Sequence, residues 1–119
     1  MLISKEFKFD SAHNLVNYKG KCENLHGHTY RLRVTLKGEP IEDGMIMDFT
    51  KLKQVVEDSV IDKLDHSYLN DIIEQSTAEN IAQWIWDELS PKFNLANCSL
   101  YEIRLWETEN SFVTIREED

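Results

Sequence analysis

The 119-residue sequence predicts an α+β domain with elements in the order ββααββ. Three observations carry this. Residues 29–37 alternate strictly, with Tyr30, Leu32, Val34 and Leu36 on one side and Thr29, Arg31, Arg33, Thr35 and Lys37 on the other; period two marks a strand with one wet face. Two later segments space their apolar residues at helical intervals. Two further strand-like runs follow them. Adjacent strands are expected to pair antiparallel into a four-stranded sheet with both helices on one face. No repeat or linker interrupts residues 1–119, so one domain is expected.

Each element has a local reason. Residues 2–10 set Phe7 and Phe9 on one side with Lys8 between them, a strand, and His13 falls just past its end. Residues 14–25 are polar, contain Gly20 and read as a loop. After the strand at 29–37, Gly-Glu-Pro and Asp-Gly in residues 38–44 are turn signals. Residues 45–49 look like a short extended piece. A helix from about Thr50 carries Leu52, Val55, Val56, Val60 and Leu64 and ends before Asp65-His66. Ser76-Thr77-Ala78-Glu79 matches a capping box, with Ser76 as cap and Glu79 reaching back. Ile81, Ala82, Ile85 and Leu89 build the second helix, which Ser90-Pro91 stops. Strands at 100–106 and 112–116 are separated by Thr108-Glu109-Asn110, a hairpin-length loop.

Hydrophobic residues make up 41% and charged residues 29%, the balance of a globular domain. A net charge of −9 argues against nucleic acid, which needs a basic face, but not against a small phosphorylated substrate. Two cysteines, Cys22 and Cys98, cannot form a disulfide framework. No stretch has the length of a signal peptide's apolar region or of a membrane span, and a cytoplasmic protein is expected.

The chemistry concentrates in CENLHGH, residues 22–28. His26 and His28, at i and i+2 of a strand, point to one face with Cα atoms about 6.5–7 Å apart. Two imidazoles at that separation can converge on one zinc with bonds of about 2.0–2.1 Å. If the first two strands form a hairpin, His13 meets them at the same end of the sheet. Three histidines with an open fourth position is the catalytic zinc pattern. Spacing alone leaves two roles open for Cys22: a fourth ligand closing an inert structural site, or a free thiolate beside the cation. Asp65-His66 reads either as a helix-end dipole contact or as a carboxylate tuning a proton-carrying imidazole. Glu107 ends a strand, where it is a solvated carboxylate or an acceptor for the two N–H groups of a flat heterocycle. Trp84, Trp86 and Trp106 read as core, and Cys98 as a semi-buried thiol.

FDSAHNL, CENLHGHTY, MDF, LDHSYLND, STAEN and WET, in this order and spacing, resemble the family of 6-pyruvoyl-tetrahydropterin and 6-carboxy-tetrahydropterin synthases over residues 7–107. The short Cys-x-x-x-His-Gly-His spacing is similar to the bacterial carboxy-forming branch. The resemblance implies the tunnelling fold, with subunits joining their sheets into a barrel, usually a homohexamer (a dimer of trimers) with sites at subunit interfaces. It implies Zn2+ on His13, His26 and His28, with Cys22 unliganded as proton-abstracting base. Asp65 and His66 would relay protons, and Glu107 and Thr77 would hold the pterin. The implied reaction converts 7,8-dihydroneopterin triphosphate to 6-carboxytetrahydropterin, acetaldehyde and triphosphate, for 7-deazapurine (queuosine) synthesis. Glu23 adds an alternative: a related branch carries glutamate in this region and forms 6-hydroxymethyl-dihydropterin for folate synthesis.

Overall fold

The computed structural model describes residues 1–19 and 24–118. Cys22 and Glu23 lie outside the described residues. Strand β1 (Leu2–His13) pairs antiparallel with β2 (His26–Gly38), and β2 with β4 (Cys98–Trp106), which pairs with β5 (Phe112–Arg116). Both early strands are longer than the alternation indicated, because they run on together to the histidines. Among the described residues the sheet has five strands, not four. The added one, β3 (Ser67–Tyr68), is two residues long and pairs parallel to the outer edge of β1, too short to show a period.

The first helix starts at α1 (Phe49–Val56), capped by the Asp48 side chain accepting from the Thr50 amide at 2.8 Å. No strand forms at 45–48; the chain there turns into the helix instead. The helix widens to π geometry over Glu57–Ile61 and closes with the short α2 (Asp62–Leu64). Leu52, Val56, Val60 and Leu64 are all fully buried. A four-residue spacing overshoots an α-helical turn by about 40° per step, and the wider π turn takes up that drift.

Helix α3 (Ala78–Leu89) buries Ile81, Ala82, Ile85 and Leu89. Its cap is Thr77, whose hydroxyl accepts from the Asn80 amide at 3.1 Å, so the capping box expected at Ser76 is displaced by one residue. Ser76 is fully buried, and its hydroxyl donates to Asn70 Oδ1 instead.

The core lies between the helices and one sheet face, with Phe9, Tyr30, Leu32, Val34, Leu36, Ile103 and Leu105 pointing inward. A register shift at Thr35/Leu36 lets Leu100 and Ile103, three residues apart, both face inward. Trp84 and Trp86 pack against this core half-buried. Trp106 is buried on the opposite, helix-free face, under arginines rather than inside the core. Among the described residues no helix is long and apolar enough to cross a membrane.

Candidate metal centre

Antiparallel pairing of β1 and β2 sets His13 opposite His26 and Ser11 opposite His28, so the hairpin brings all three imidazoles to one end of the sheet. Their ring centres are 4.6, 4.8 and 5.2 Å apart, and one nitrogen from each lies within 4.8 Å of the others. The rings are steeply inclined, at 66°, 89° and 68°, which aims nitrogens at a shared centre rather than stacking faces.

Backbone carbonyls set the ring orientations. The Nδ1–H of His13 donates to the Ser76 carbonyl at 2.7 Å, and that of His26 to the Asn24 carbonyl at 2.9 Å. A carbonyl only accepts, so in both rings Nδ1 carries the proton and Nε2 keeps its lone pair. His13 is 2% exposed, and its Nε2 is buried with no hydrogen-bond partner among the described residues. An orphaned buried acceptor costs about 1–3 kcal/mol, and a cation coordinated there removes that cost. Three convergent imidazoles, two of them with the second ring nitrogen held by a backbone carbonyl, fit a divalent metal such as zinc.

The carbonyl partners were not legible beforehand, because main-chain acceptors leave no residue signature. Ser76 is the most consequential. Its carbonyl orients His13, and its hydroxyl lies 3.2 Å from the same Nδ1 while donating to Asn70 Oδ1 at 3.0 Å. Its cap-like sequence context concealed this role.

A cavity of about 260 Å³ opens beside the histidines, lined by His13, His26, Leu15, Thr77, Glu79 and Glu107. Glu107 Oε1 is 3.9 Å from His28 Nε2. Beneath the rings Tyr30 is fully buried and stacks on Phe9 at 5.0 Å. Burial, and then the negative charge of Glu107, push the Tyr30 phenol far above its ordinary range. Thr77 and Glu107 therefore share one cavity with His13 and His26.

Asp65 and His66 do not. Asp65 Oδ2 is 3.0 Å from His66 Nδ1, its other oxygen accepts from the Asp10 amide at 2.9 Å, and His66 takes a left-handed backbone with φ 56°. The hydrogen bond from the Asp10 amide, and then His66, hold the Asp65 carboxyl below its usual range against the effect of its burial. Asp10 accepts from Thr29 Oγ1 at 2.5 Å and converges with Asp65 and His66 within 4.8 Å. Asp10 and Thr29 alternate with Phe9, Ser11, His28 and Tyr30 along their strands, so this cluster belongs to the sheet face opposite the three histidines. An open depression of about 540 Å³ lies there, lined by Asp10, Ala12, Gly27, Thr29, His66 and Ser67 and reached at its edge by Ser11 and His28.

Cys98, 5% exposed, is a buried core thiol whose pKa is raised by desolvation.

Three convergent histidines able to hold a metal at the end of the sheet, with a carboxylate-lined cavity beside them, make the candidate site of a class that binds a small polar molecule next to a metal. Comparison with known proteins makes this specific. The chain belongs to the 6-pyruvoyl tetrahydropterin synthase family, matching it over residues 2–118. It is 37% identical to a 6-carboxy-5,6,7,8-tetrahydropterin synthase of Haemophilus influenzae, over 97% of this chain and 98% of that one. It is 43% identical to a dihydroneopterin monophosphate aldolase of Pyrococcus furiosus, over 83% of this chain and 82% of that one. The structure superposes on 6-pyruvoyl tetrahydropterin synthase of Caenorhabditis elegans with a TM-score of 0.83 and 30% identity, covering 98% and 94% of the two chains.

Proposed function

We propose that this protein is a zinc-dependent 6-carboxy-5,6,7,8-tetrahydropterin synthase. It would take 7,8-dihydroneopterin triphosphate to 6-carboxytetrahydropterin, acetaldehyde and triphosphate, supplying 7-deazapurine (queuosine) synthesis in the cytoplasm. The observation that carries the reading is the single cavity shared by His13, His26, Thr77 and Glu107, with His28 at its rim. Residues 1–119 act as one catalytic domain.

His13, His26 and His28 would hold the metal, with the tautomers of His13 and His26 set by the Ser76 and Asn24 carbonyls. When bound there, a zinc ion would supply Lewis-acid chemistry, making C–H protons beside the substrate's side-chain oxygens more acidic. Glu107 offers two carboxylate oxygens to the N–H groups of the pterin edge, the geometry carboxylates use with guanidinium. The Thr77 hydroxyl, which accepts from Asn80, still has its own proton to donate to the ring. Cys22 removes a carbon-bound proton, a role that rests on the family resemblance.

Asp65 and His66 relay protons. Their position on the opposite sheet face supports a site completed across copies, in which the pair of one subunit serves the cavity of the next. This is consistent with a homohexamer having its sites at interfaces.

Glu23, beside Cys22, and the similarity to the Pyrococcus furiosus aldolase favour a second reading, cleavage to 6-hydroxymethyl-dihydropterin, alone or as an additional activity. Mass spectrometry of the products from dihydroneopterin triphosphate separates a carboxy, a hydroxymethyl and a pyruvoyl pterin. In Cys22→Ala the protein should keep one zinc per chain and lose turnover. Zinc released by that substitution would make Cys22 a ligand and end the catalytic reading.

A further inference from the structure

All four arginines of this acidic chain lie on the helix-free face of the sheet: Arg31 and Arg33 on β2, Arg104 on β4 and Arg116 on β5. The strand registers arrange them in rows. Lys8 faces Arg31, which faces Trp106, which faces Phe112. One step along, Glu6 faces Arg33, which faces Arg104, which faces Thr114.

Two arginines are neutralised. Arg33 Nε donates to Glu6 at 2.9 Å, and Arg116 Nε to Glu102 at 2.7 Å. Among the described residues the other two have no carboxylate partner. Arg104 Nε donates to the uncharged Thr114 hydroxyl at 3.0 Å. Arg31 has no carboxylate partner among the described residues, and its Nε is buried without an acceptor. Its guanidinium instead lies over Trp106, 3.9 Å from the ring centre, with that of Arg104 5.8 Å from the same ring. Lys8, Arg31, Arg33 and Arg104 thus have only Glu6 as counter-charge within these two rows.

Like charges directly opposite each other in a sheet oppose folding, and here both Lys8–Arg31 and Arg33–Arg104 are such pairs. A surplus of cations in one spot, on a chain with a net charge of −9, is stable when an anion completes it. The guanidinium fork binds phosphate oxygens two at a time, and Arg31 is held for that by its stack on Trp106. The cations span three adjacent strands about 4.8 Å apart, so the charge is drawn out in a line. We propose that the helix-free sheet face around Arg31 and Arg104 is a binding site for a linear polyphosphate chain, separate from the histidine cavity. The chain's overall negative charge disfavours a nucleic acid there. This inference does not rest on the catalytic reading.

Isothermal titration of the intact protein with inorganic tripolyphosphate at low ionic strength tests it. Binding should weaken at least tenfold in Arg31→Gln and in Arg104→Gln, fall less in Arg31→Lys, weaken as salt is added, and stay within twofold in His26→Ala. Thermal melts of each variant establish that it is folded, and Arg104→Gln serves if Arg31→Gln is not. No binding by the wild type, or affinities of both glutamine variants within twofold of it, would overturn the proposal. So would an equal loss in His26→Ala, which would put the anion in the histidine cavity. Competition by a nucleoside triphosphate would identify the chain as a nucleotide's tail, and its failure would leave free polyphosphate; both outcomes support the site.

Discussion

Replacing His13 by phenylalanine keeps a ring of similar size in the 2%-exposed space while deleting both nitrogens. Two effects oppose each other in the metal-free protein. The Ser76 carbonyl loses the donor now 2.7 Å away, and the partnerless Nε2 disappears. Each is worth about 1–3 kcal/mol, so metal-free stability should change by no more than about 2 kcal/mol in either direction. The metal-bound protein behaves differently. At a free metal concentration 100 times Kd, binding stabilises the native state by about 2.7 kcal/mol, or about 10 °C in Tm for a chain of this length. Urea titrations with zinc and with a chelator, on wild type and His13→Phe, measure both terms. The wild type should lose about 2.7 kcal/mol on chelation, and the variant nothing. A metal-dependent increment of equal size in both proteins would refute the three-histidine site. So would a wild type indifferent to chelation while metal analysis shows one bound ion.

Three other outcomes follow from particular residues. Tyr30 is fully buried and its hydroxyl has no partner among the described residues, so Tyr30→Phe should raise stability by about 1 kcal/mol in denaturant titrations. A loss of that size would reveal a buried water or ligand on the phenol. Gly38 ends β2 where an added Cβ would sit 2.1 Å from the Asn97 carbonyl oxygen and 2.6 Å from the Cys98 Cβ. Gly38→Ala should therefore cost about 3 kcal/mol or more, read from the midpoint shift. The Asp65 carboxyl, held low first by the Asp10 amide and then by His66, favours the folded state at neutral pH. A depressed folded-state pKa gives stability that is complete above the unfolded value, about 3.9, and is lost as pH falls through the lower folded value. Asp65→Asn should thus flatten the acid limb of a stability–pH curve, and an unchanged limb would contradict the shift.

The elements and the convergence of the three histidines were legible in the sequence because their causes are local. Period two in residues 29–37 and the one-residue gap between His26 and His28 depend only on strand geometry. His13 joined them through the nearest possible partner, the adjacent strand of a hairpin. What was misread depended on distant contacts. Ser76 looks like a helix cap, yet it is held by His13, 63 residues away, and the cap passes to Thr77. Trp106 looks like core, but the β4 register turns it to the arginine face.

By itself, then, the amino-acid order determined an α+β chain whose first two strands carry three histidines to one point. It also determined, through recurring motifs, the family to which the chain belongs. Only the tertiary structure decided which groups share a space. Thr77 and Glu107 arrive beside the histidines because α3 and β4 pack against the same end of the sheet. The parallel pairing of β3 with β1 sends Asp65 and His66 to the other face. Periodicity assigns side chains to a face within one element, whereas the face of a shared sheet to which a distant turn is delivered depends on long-range pairing.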